Sequence, residues 1–250
     1  MIVVFSITAL AAARAQEYKV RKSNGKIILN LSGVLVEGYG GNEIIFSSGQ
    51  KETAIDPRAE GLQTINAAGY RDNTGLGISV IEKGTTVEVN EVIPDLTIKI
   101  LVPRSMMLSF ICHKMTKEAK VICRNMENEI EIEAEDNDIL LENITGPVTV
   151  RTLYGKVDAV FSKNIKGPVS IVSVQSTVDV AIPIDTQAHI KLKSSHSTIM
   201  ASPDFKIAVE KSEDTDLLGF ESLVYGKLNG GGPEFRLTSE YGKIYLRKTK

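Results

Sequence analysis

Two seven-residue runs, Ile144-Thr145-Gly146-Pro147-Val148-Thr149-Val150 and Ile165-Lys166-Gly167-Pro168-Val169-Ser170-Ile171, repeat at an offset of 21 residues. The match continues past them, with Thr152 aligned to Ser173, Val157 to Val178 and Asp158 to Asp179. A further step of 21 sets Ile190 and Leu192 under Val169 and Ile171, Ser194 under Ser173, and Ile199 under Val178. A shorter unit of 18 precedes the series, with Ile130, Ile132 and Ile139 in the same roles. At an offset of 87 from the first copy, Phe235, Leu237 and Ile244 take those roles again, and Tyr154-Gly155-Lys156 recurs as Tyr241-Gly242-Lys243. Apolar-x-apolar alternation marks a half-buried strand, and the glycine or small polar residue after it marks a bend. A unit of about 20 residues holding two or three short strands cannot bury its apolar side alone. Stacked copies can, each coil hydrogen-bonding to the next at about 4.8 Å.

The repeat therefore predicts an all-β chain: a right-handed parallel β-helix, or solenoid, of short strands with an irregular N-terminal β cap. The competing architecture is a β-sandwich, which also has short strands and frequent turns but does not readily explain identical offsets. Composition agrees with strands: 27 Ile and 22 Val stand against 19 Leu and 16 Ala, and β-branched residues fit a pleated surface better than a helix. No helical stripe with capping signals is present. In the first half, strands are expected at 26–31, 35–39, 42–46, 86–89 and 96–103, with a polar, Gly-rich loop from Asp56 to Gly77. No linker separates the halves. Residues 16–250 read as one elongated domain, with irregular strands over 16–103 and repeats over 104–250. Open terminal coils expose unpaired backbone groups and need covers. The N-terminal strands are expected to supply one. Ser202 to Asn229 reads as an excursion, from which Asn229-Gly230-Gly231-Gly232-Pro233 returns the chain into register at Phe235.

The first residues read as an address. Ile2 to Ala13 is apolar, Ala13-Arg14-Ala15 forms an A-x-A pattern, and polar sequence begins at Gln16. Residues 1–15 thus have the form of a secretory signal peptide, although no Lys or Arg precedes the apolar stretch. The stretch is shorter than the roughly 20 residues a membrane-spanning helix needs, and no transmembrane segment is expected after cleavage. With 29 basic against 31 acidic residues and a net charge of -2, the chain lacks the basic excess of a nucleic-acid binder.

Several stretches resemble a known family: Gly33-Val34-Leu35-Val36-Glu37-Gly38, the strand Ile98-Lys99-Ile100-Leu101-Val102-Pro103, the Ile-x-Gly-Pro-Val repeats, and the ending from Gly231 to Ile244. They are similar to the bacterial putative-adhesin family, a domain of unknown function found in exported envelope proteins. The resemblance covers essentially the whole chain after residue 15 and is strongest from Ile98 onward. It implies a parallel β-helix in the periplasm or at the cell surface of a bacterium. It carries no catalytic residues to transfer.

Candidate chemistry is sparse. Glu127, Glu129, Glu131, Glu133, Glu135, Asp136, Asp138 and Glu142 form an acidic run without a basic residue. On a strand, Glu129, Glu131 and Glu133 share one face opposite Ile130 and Ile132. They read as a solvated outer face paired with Lys117, Lys120, Lys156 and Lys163 of adjacent coils. Oxygen ligands suit Ca²⁺, so Asp136, Asn137 and Asp138 are the candidate cation ligands. Cys112 and Cys123 flank a Lys-rich turn and read either as a hairpin-closing disulfide or as two buried thiols. The most function-like loop carries Asp56, Arg58, Glu60, Tyr70, Arg71 and Asp72, since binding residues favour loops on rigid scaffolds.

No cofactor and no catalytic set is indicated. The expected function is a non-enzymatic, exported, adhesin-like binding or structural surface with an envelope partner: protein, glycan or lipid. One alternative is a lipid or apolar-ligand binder using a cleft between the N-terminal strands and the stack. The other is a carbohydrate-active β-helix enzyme with carboxylates gathered in a groove. With 7 Phe, 7 Tyr and no Trp, aromatic stacking on sugars is disfavoured overall.

Overall fold

The computed structural model describes residues 16–48, 57–115, 119–210 and 221–249, so the export segment 1–15 lies outside the described residues. The chain opens with β1 (Glu17–Val20), β2 (Lys26–Asn30), β3 (Val34–Tyr39) and β4 (Ile44–Ser48). One 3-10 turn (Pro57–Ala59) precedes β5 (Ile78–Lys83), β6 (Thr86–Glu91) and β7 (Ile98–Pro103). The regular series is β8 (Met107–Cys112), β9 (Lys120–Arg124), β10 (Ile130–Ala134), β11 (Asp138–Ile144), β12 (Val148–Thr152), β13 (Val157–Phe161), β14 (Val169–Ser173) and β15 (Val178–Ile182). It ends with β16 (Ala188–Ser194), β17 (Ile199–Ala201), β18 (Ile207–Glu210), β19 (Ser222–Leu228), β20 (Glu234–Ser239) and β21 (Ile244–Lys248).

The protein is all-β, with strands in two mixed, open sheets. A front sheet runs β18-β19-β16-β20-β14-β12-β10-β8-β2-β6-β5, and a back sheet runs β1-β4-β7-β3-β9-β11-β13-β15-β21-β17. Each coil of the regular series gives one strand to the front and the next to the back. Pairing within the series is parallel and in the register the offsets demand: Val148 opposes Val169, Val150 opposes Ile171, and Val157 opposes Val178. The shorter unit obeys the same rule, with Ile130 opposite Val148 and Ile139 opposite Val157. Alternate residues of every strand in this series point into one continuous apolar core between the sheets. Burying one Val or Ile side chain contributes about 1.5–3 kcal/mol, so each added coil is favoured chiefly by its inward column.

Turns are held by small residues that face the coil beside them. After the front strands, Ser173 Oγ donates to the Gly155 carbonyl at 3.0 Å and Ser239 Oγ to the Ser176 carbonyl at 2.8 Å. These hydroxyls are fully enclosed, as are those of Thr152 and Ser194. A Cβ built on Gly155 would lie 1.8 Å from the Asn137 carbonyl oxygen, and one on Gly242 would lie 2.0 Å from that of Ser176. The back strands end differently. Asn125, Asn143 and Asn164 sit at φ 57°, 57° and 63°, a left-handed region that Asn enters more readily than most residues. Asn143 Nδ2 donates to Asn125 Oδ1 at 2.5 Å, and the ladder register shifts at this residue, between Glu142 and Ile144.

Sequential stacking fails at the C-terminal end. The offset of 21 sets Ile190 and Leu192 beneath Val169 and Ile171, yet in the structure Phe235 and Leu237 lie between them. Val169 opposes Phe235, and Phe235 opposes Ile190. The chain passes outward through β16 and β17, makes the antiparallel pairings of β18 and β19, and returns to lay β20–β21 inside. The physical reason is that a coil can be equivalent in geometry without being adjacent. The N-terminal end has the same plan, with β2–β3 between β8–β9 and the outer pair β6–β7. Antiparallel β1, β4 and β5 complete that end, with β1 and β5 as the edge strands of the two sheets.

The turn contact is directly testable. Gly155→Ala is expected to lower unfolding free energy by about 2–4 kcal/mol, because its new methyl meets backbone rather than a movable side chain. Gly40→Ala, with open space around it, is expected to change stability by less than about 1 kcal/mol. Equilibrium urea unfolding of the two variants separates these outcomes.

Candidate functional site

The outer face of the front sheet carries the most site-like arrangement. Neighbouring parallel strands align Ser109, Glu131, Thr149, Ser170 and Arg236 as Cα partners along one line. Ile111, Glu133, Arg151, Val172 and Thr238 form the next. Nine of these ten residues, Thr238 excepted, line an open trough of about 500 Å³. Glu131 and Glu133 stand on β10, Arg151 beside Glu133 on β12 and Arg236 at the far end on β20, with the Thr149 and Ser170 hydroxyls between Glu131 and Arg236. The floor is a hydrogen-bonded sheet, so these side chains start from fixed positions.

Several of the charges are already engaged. Lys26 Nζ lies 2.6 Å from Glu131, and Arg236 is held by Glu234 at 2.9 Å. Glu133 and Arg151 face each other as Cα partners but form no ion pair with each other. The back sheet differs. Its outward charges are largely paired on the sheet itself, as Lys99 with Glu37 at 3.3 Å, Arg124 with Glu142, and Arg247 with Asp179 at 2.8 Å. The front face thus retains an acid and a base available to a ligand.

The acidic run points outward as expected, with Ile130 and Ile132 buried opposite. Its partners are not the lysines expected from the sequence. Glu127 meets Arg104 at 3.4 Å and Lys166 at 3.5 Å, Glu131 meets Lys26, and Glu142 meets Arg124. Lys156 pairs instead with Asp158 at 3.0 Å, and Lys117 lies outside the described residues. Exposed pairs of this kind contribute little to stability.

Asp136, Asn137 and Asp138 are adjacent in sequence, but their side chains do different work. Asn137 is fully buried, and its Nδ2 donates to the carbonyls of Ser32 at 2.7 Å and Ala119 at 3.0 Å. It ties this turn to two neighbouring turns. Asp138 Oδ1 accepts from the Lys156 amide at 3.2 Å. Among the described residues, no group of three or more His, Cys, Asp or Glu has an arrangement that could hold a metal ion.

The loop residues also divide. Asp56 lies outside the described residues, and Arg58, Glu60 and Arg71 are exposed. Asp72 builds the loop: one carboxylate oxygen accepts from the Thr74 and Gly75 amides and the Thr74 hydroxyl, and the other from the Gly77 amide, all at 2.8–2.9 Å. Asn66 adds a second brace, donating to the Glu91 carbonyl at 2.7 Å and accepting from the Tyr70 amide at 3.0 Å.

Cys112 and Cys123 are buried free thiols. The hairpin-closing disulfide is not formed, because β8 and β9 lie in different sheets and are not a hairpin. Burial pushes both thiols up, Cys123 to about 12.

Sequence reading missed Arg151, Thr149, Ser170 and Arg236. The signal was in the repeat itself, since the residue following each inward position necessarily faces outward.

Among the described residues no helix is long and apolar enough to cross a membrane. No family model and no curated protein matches the chain. It is similar to the crystal structure of a putative cell adhesion protein from Clostridium sporogenes, at 13% identity and TM-score 0.45, over 94% of this chain and 100% of that one. It is also similar to a putative adhesin from Bacteroides fragilis, at 10% identity and TM-score 0.36, over 95% and 98%.

The thiols give a check on this geometry. Without reductant, the native protein is expected to hide both cysteines from a bulky thiol reagent and to release two reactive thiols on denaturation. None after denaturation would mean a disulfide. The Cys123 thiol lies above its ordinary 9.0 when folded, so the unfolded chain ionises first. Its contribution to stability is intact below about pH 9 and is lost as pH rises toward about 12. Cys123→Ala is expected to flatten that part of the stability–pH curve.

Proposed function

We propose that the chain is an exported, non-enzymatic envelope protein of the bacterial putative-adhesin family, built as a right-handed two-sheet β-solenoid that presents a binding surface. The observation that carries the reading is the trough on the front sheet. It is open, floored by β8, β10, β12, β14 and β20, and lined by charges of both signs with hydroxyls between them. Such a face suits an extended polar chain laid across the strands. The solenoid form is supported by the in-register alternation of front and back strands through the regular series. Export is supported by the apolar start and its Ala13-Arg14-Ala15 pattern.

A non-enzymatic role is supported by the carboxylate placement. A glycosidase sets two carboxyl groups on either side of the scissile bond. Of the two carboxylates in the trough, Glu131 is tied to Lys26, which leaves Glu133 alone without an ion pair.

Labelled protein comprising residues 16–250 is expected to bind isolated bacterial envelope fragments saturably. The double variant Glu133→Ala/Arg151→Ala is expected to weaken that binding about tenfold, or about 1.4 kcal/mol, while leaving the unfolding midpoint unchanged. Release of soluble sugar from the fragments by the wild-type protein would overturn the non-enzymatic reading. Unchanged binding by the double variant would remove the trough from it.

A further inference from the structure

The two sheets do not stop together at the C-terminal end. β16 and β17 form the last full coil there, since Ile190 opposes Phe235 and Ile199 opposes Ile244 of the coil β20–β21. The back sheet ends at β17, whereas the front sheet runs on through β19 and β18. The front therefore overhangs the back by two strands, or about 9.6 Å. The overhang has an inner, apolar face. Ile207 and Val209 oppose Leu228 and Gly226, which in turn oppose Ala188 and Ile190 of the core column. Among the described residues no back strand lies across from that face, and Val209 is 64% exposed. On the inward side of β17, Ile199 is half-buried and Ala201 exposed.

The opposite end of the stack differs on both counts. Its inward residues, Val20 of β1 and Ile78 and Val80 of β5, are buried. Its edge strands also carry charges, Glu17 and Lys19 on β1 and Glu82 and Lys83 on β5. Charged side chains on a free edge discourage pairing with another chain. β17 (Ile-Met-Ala) has none, and β18 has only Glu210, which is neutralised by Lys227 at 2.7 Å.

We propose that the C-terminal end is a homodimer interface, a lap joint between two copies related by a twofold axis lying along the strands. The inference is independent of the trough. Such an axis exchanges front with back and reverses the stack, so the partner's overhang lies on the side where this copy's back sheet stops. The two steps then fill each other. Each overhang is two strands deep, and so is the space it enters, between β17 of one copy and β16 of the other. β18 of each copy meets the partner's β17 edge to edge, and both sheets run through the joint unbroken. The inner faces carrying Ile207, Val209 and Val224 close on each other as the two layers of the core do elsewhere. A strand from a different protein would pair with one edge and leave the other open, whereas a second copy satisfies both edges and both faces. Only this end has the uncharged edge and the uncovered face, so the assembly closes at two copies and does not extend into a filament. A joint only about 9.6 Å deep is small beside a standard interface of about 800 Å² on each side, so the dimer is expected to come apart on dilution.

Light scattering of residues 16–250 in reductant is expected to give the monomer mass at about 1 µM and the dimer mass at about 200 µM, reversibly. Val209→Lys is expected to raise the dimer dissociation constant at least about tenfold. Its unfolding midpoint is expected to stay unchanged, because Val209 is already exposed in the single chain. Val160→Lys, on the outer back face and 42% exposed, is expected to leave the constant within about twofold. Cross-linking tests the arrangement. Met200, Ala208 and Glu210 alternate with the inward residues of β17 and β18 and so point outward along the meeting edges. Met200→Cys mixed with Ala208→Cys or with Glu210→Cys is expected, in at least one mixture, to form a disulfide joining the two variants on mild oxidation, and no variant alone is expected to do so. The native thiols Cys112 and Cys123 are buried. A monomer at every concentration, an assembly larger than two, or a dimer that Val209→Lys leaves intact overturns the proposal. So does a dimer weakened equally by Val160→Lys, a disulfide formed by Ala208→Cys alone, or none in either mixture.

Discussion

Each turn in this chain rests on the turn of the coil beside it, and that contact constrains the rest of the structure. Parallel in-register strands lie about 4.8 Å apart, which leaves no room for a side chain pointing along the stack. Gly155, Gly146 and Gly242 stand where a Cβ would strike a neighbouring carbonyl at 1.8, 2.1 and 2.0 Å. Buried hydroxyls of Thr152, Ser173, Ser194 and Ser239 follow, because a carbonyl-lined corner inside the core requires donors that fit in little space. With the turns fixed, the inward Val, Ile and Phe side chains fall into columns. The core is a consequence of the corners as much as their cause.

The sequence made the columns legible because alternation at period two and a constant offset both leave a mark on residue type. It did not make their order legible. Ile190 and Leu192 carry the same pattern whether they touch Val169 and Ile171 or are separated from them by Phe235 and Leu237. Only the return of β20–β21 decides that, and no local preference encodes it. Cys112 and Cys123 misled for a related reason, since alternation shows which way a side chain points but not which sheet its strand joins. Asp72 and Asn137 were read as possible ligand residues because Asp and Asn serve ligands and turns equally well. Here both are used on the backbone. The Asn125, Asn143 and Asn164 ladder was visible at the offsets 18 and 21 and is the signal that reading by apolar positions passed over.

The outward residues follow from the same geometry. Once the inward column is known, Glu133, Arg151, Val172 and Thr238 must lie in line on the front face. What the sequence could not supply was which charges pair. The back face neutralises itself through Arg124 with Glu142 and Arg247 with Asp179, while the front face keeps Glu133 and Arg151 apart. Side chains held on a rigid ladder lose little entropy when a partner is bound.

The order of the C-terminal coils is the claim on which the core, the trough and the lap joint all depend. Paired cysteines test it. Val172 is the Cα partner of Thr238, and Thr238 is in turn the partner of Lys193. A disulfide needs Cα atoms within about 7 Å, which adjacent strands satisfy and strands two rungs apart, at about 9.6 Å, do not. Val172→Cys/Thr238→Cys is therefore expected to close an intramolecular disulfide on mild oxidation, and Val172→Cys/Lys193→Cys to remain reduced. Closure of the second pair and not the first would show that the coils stack in chain order, with the C-terminal strands outside.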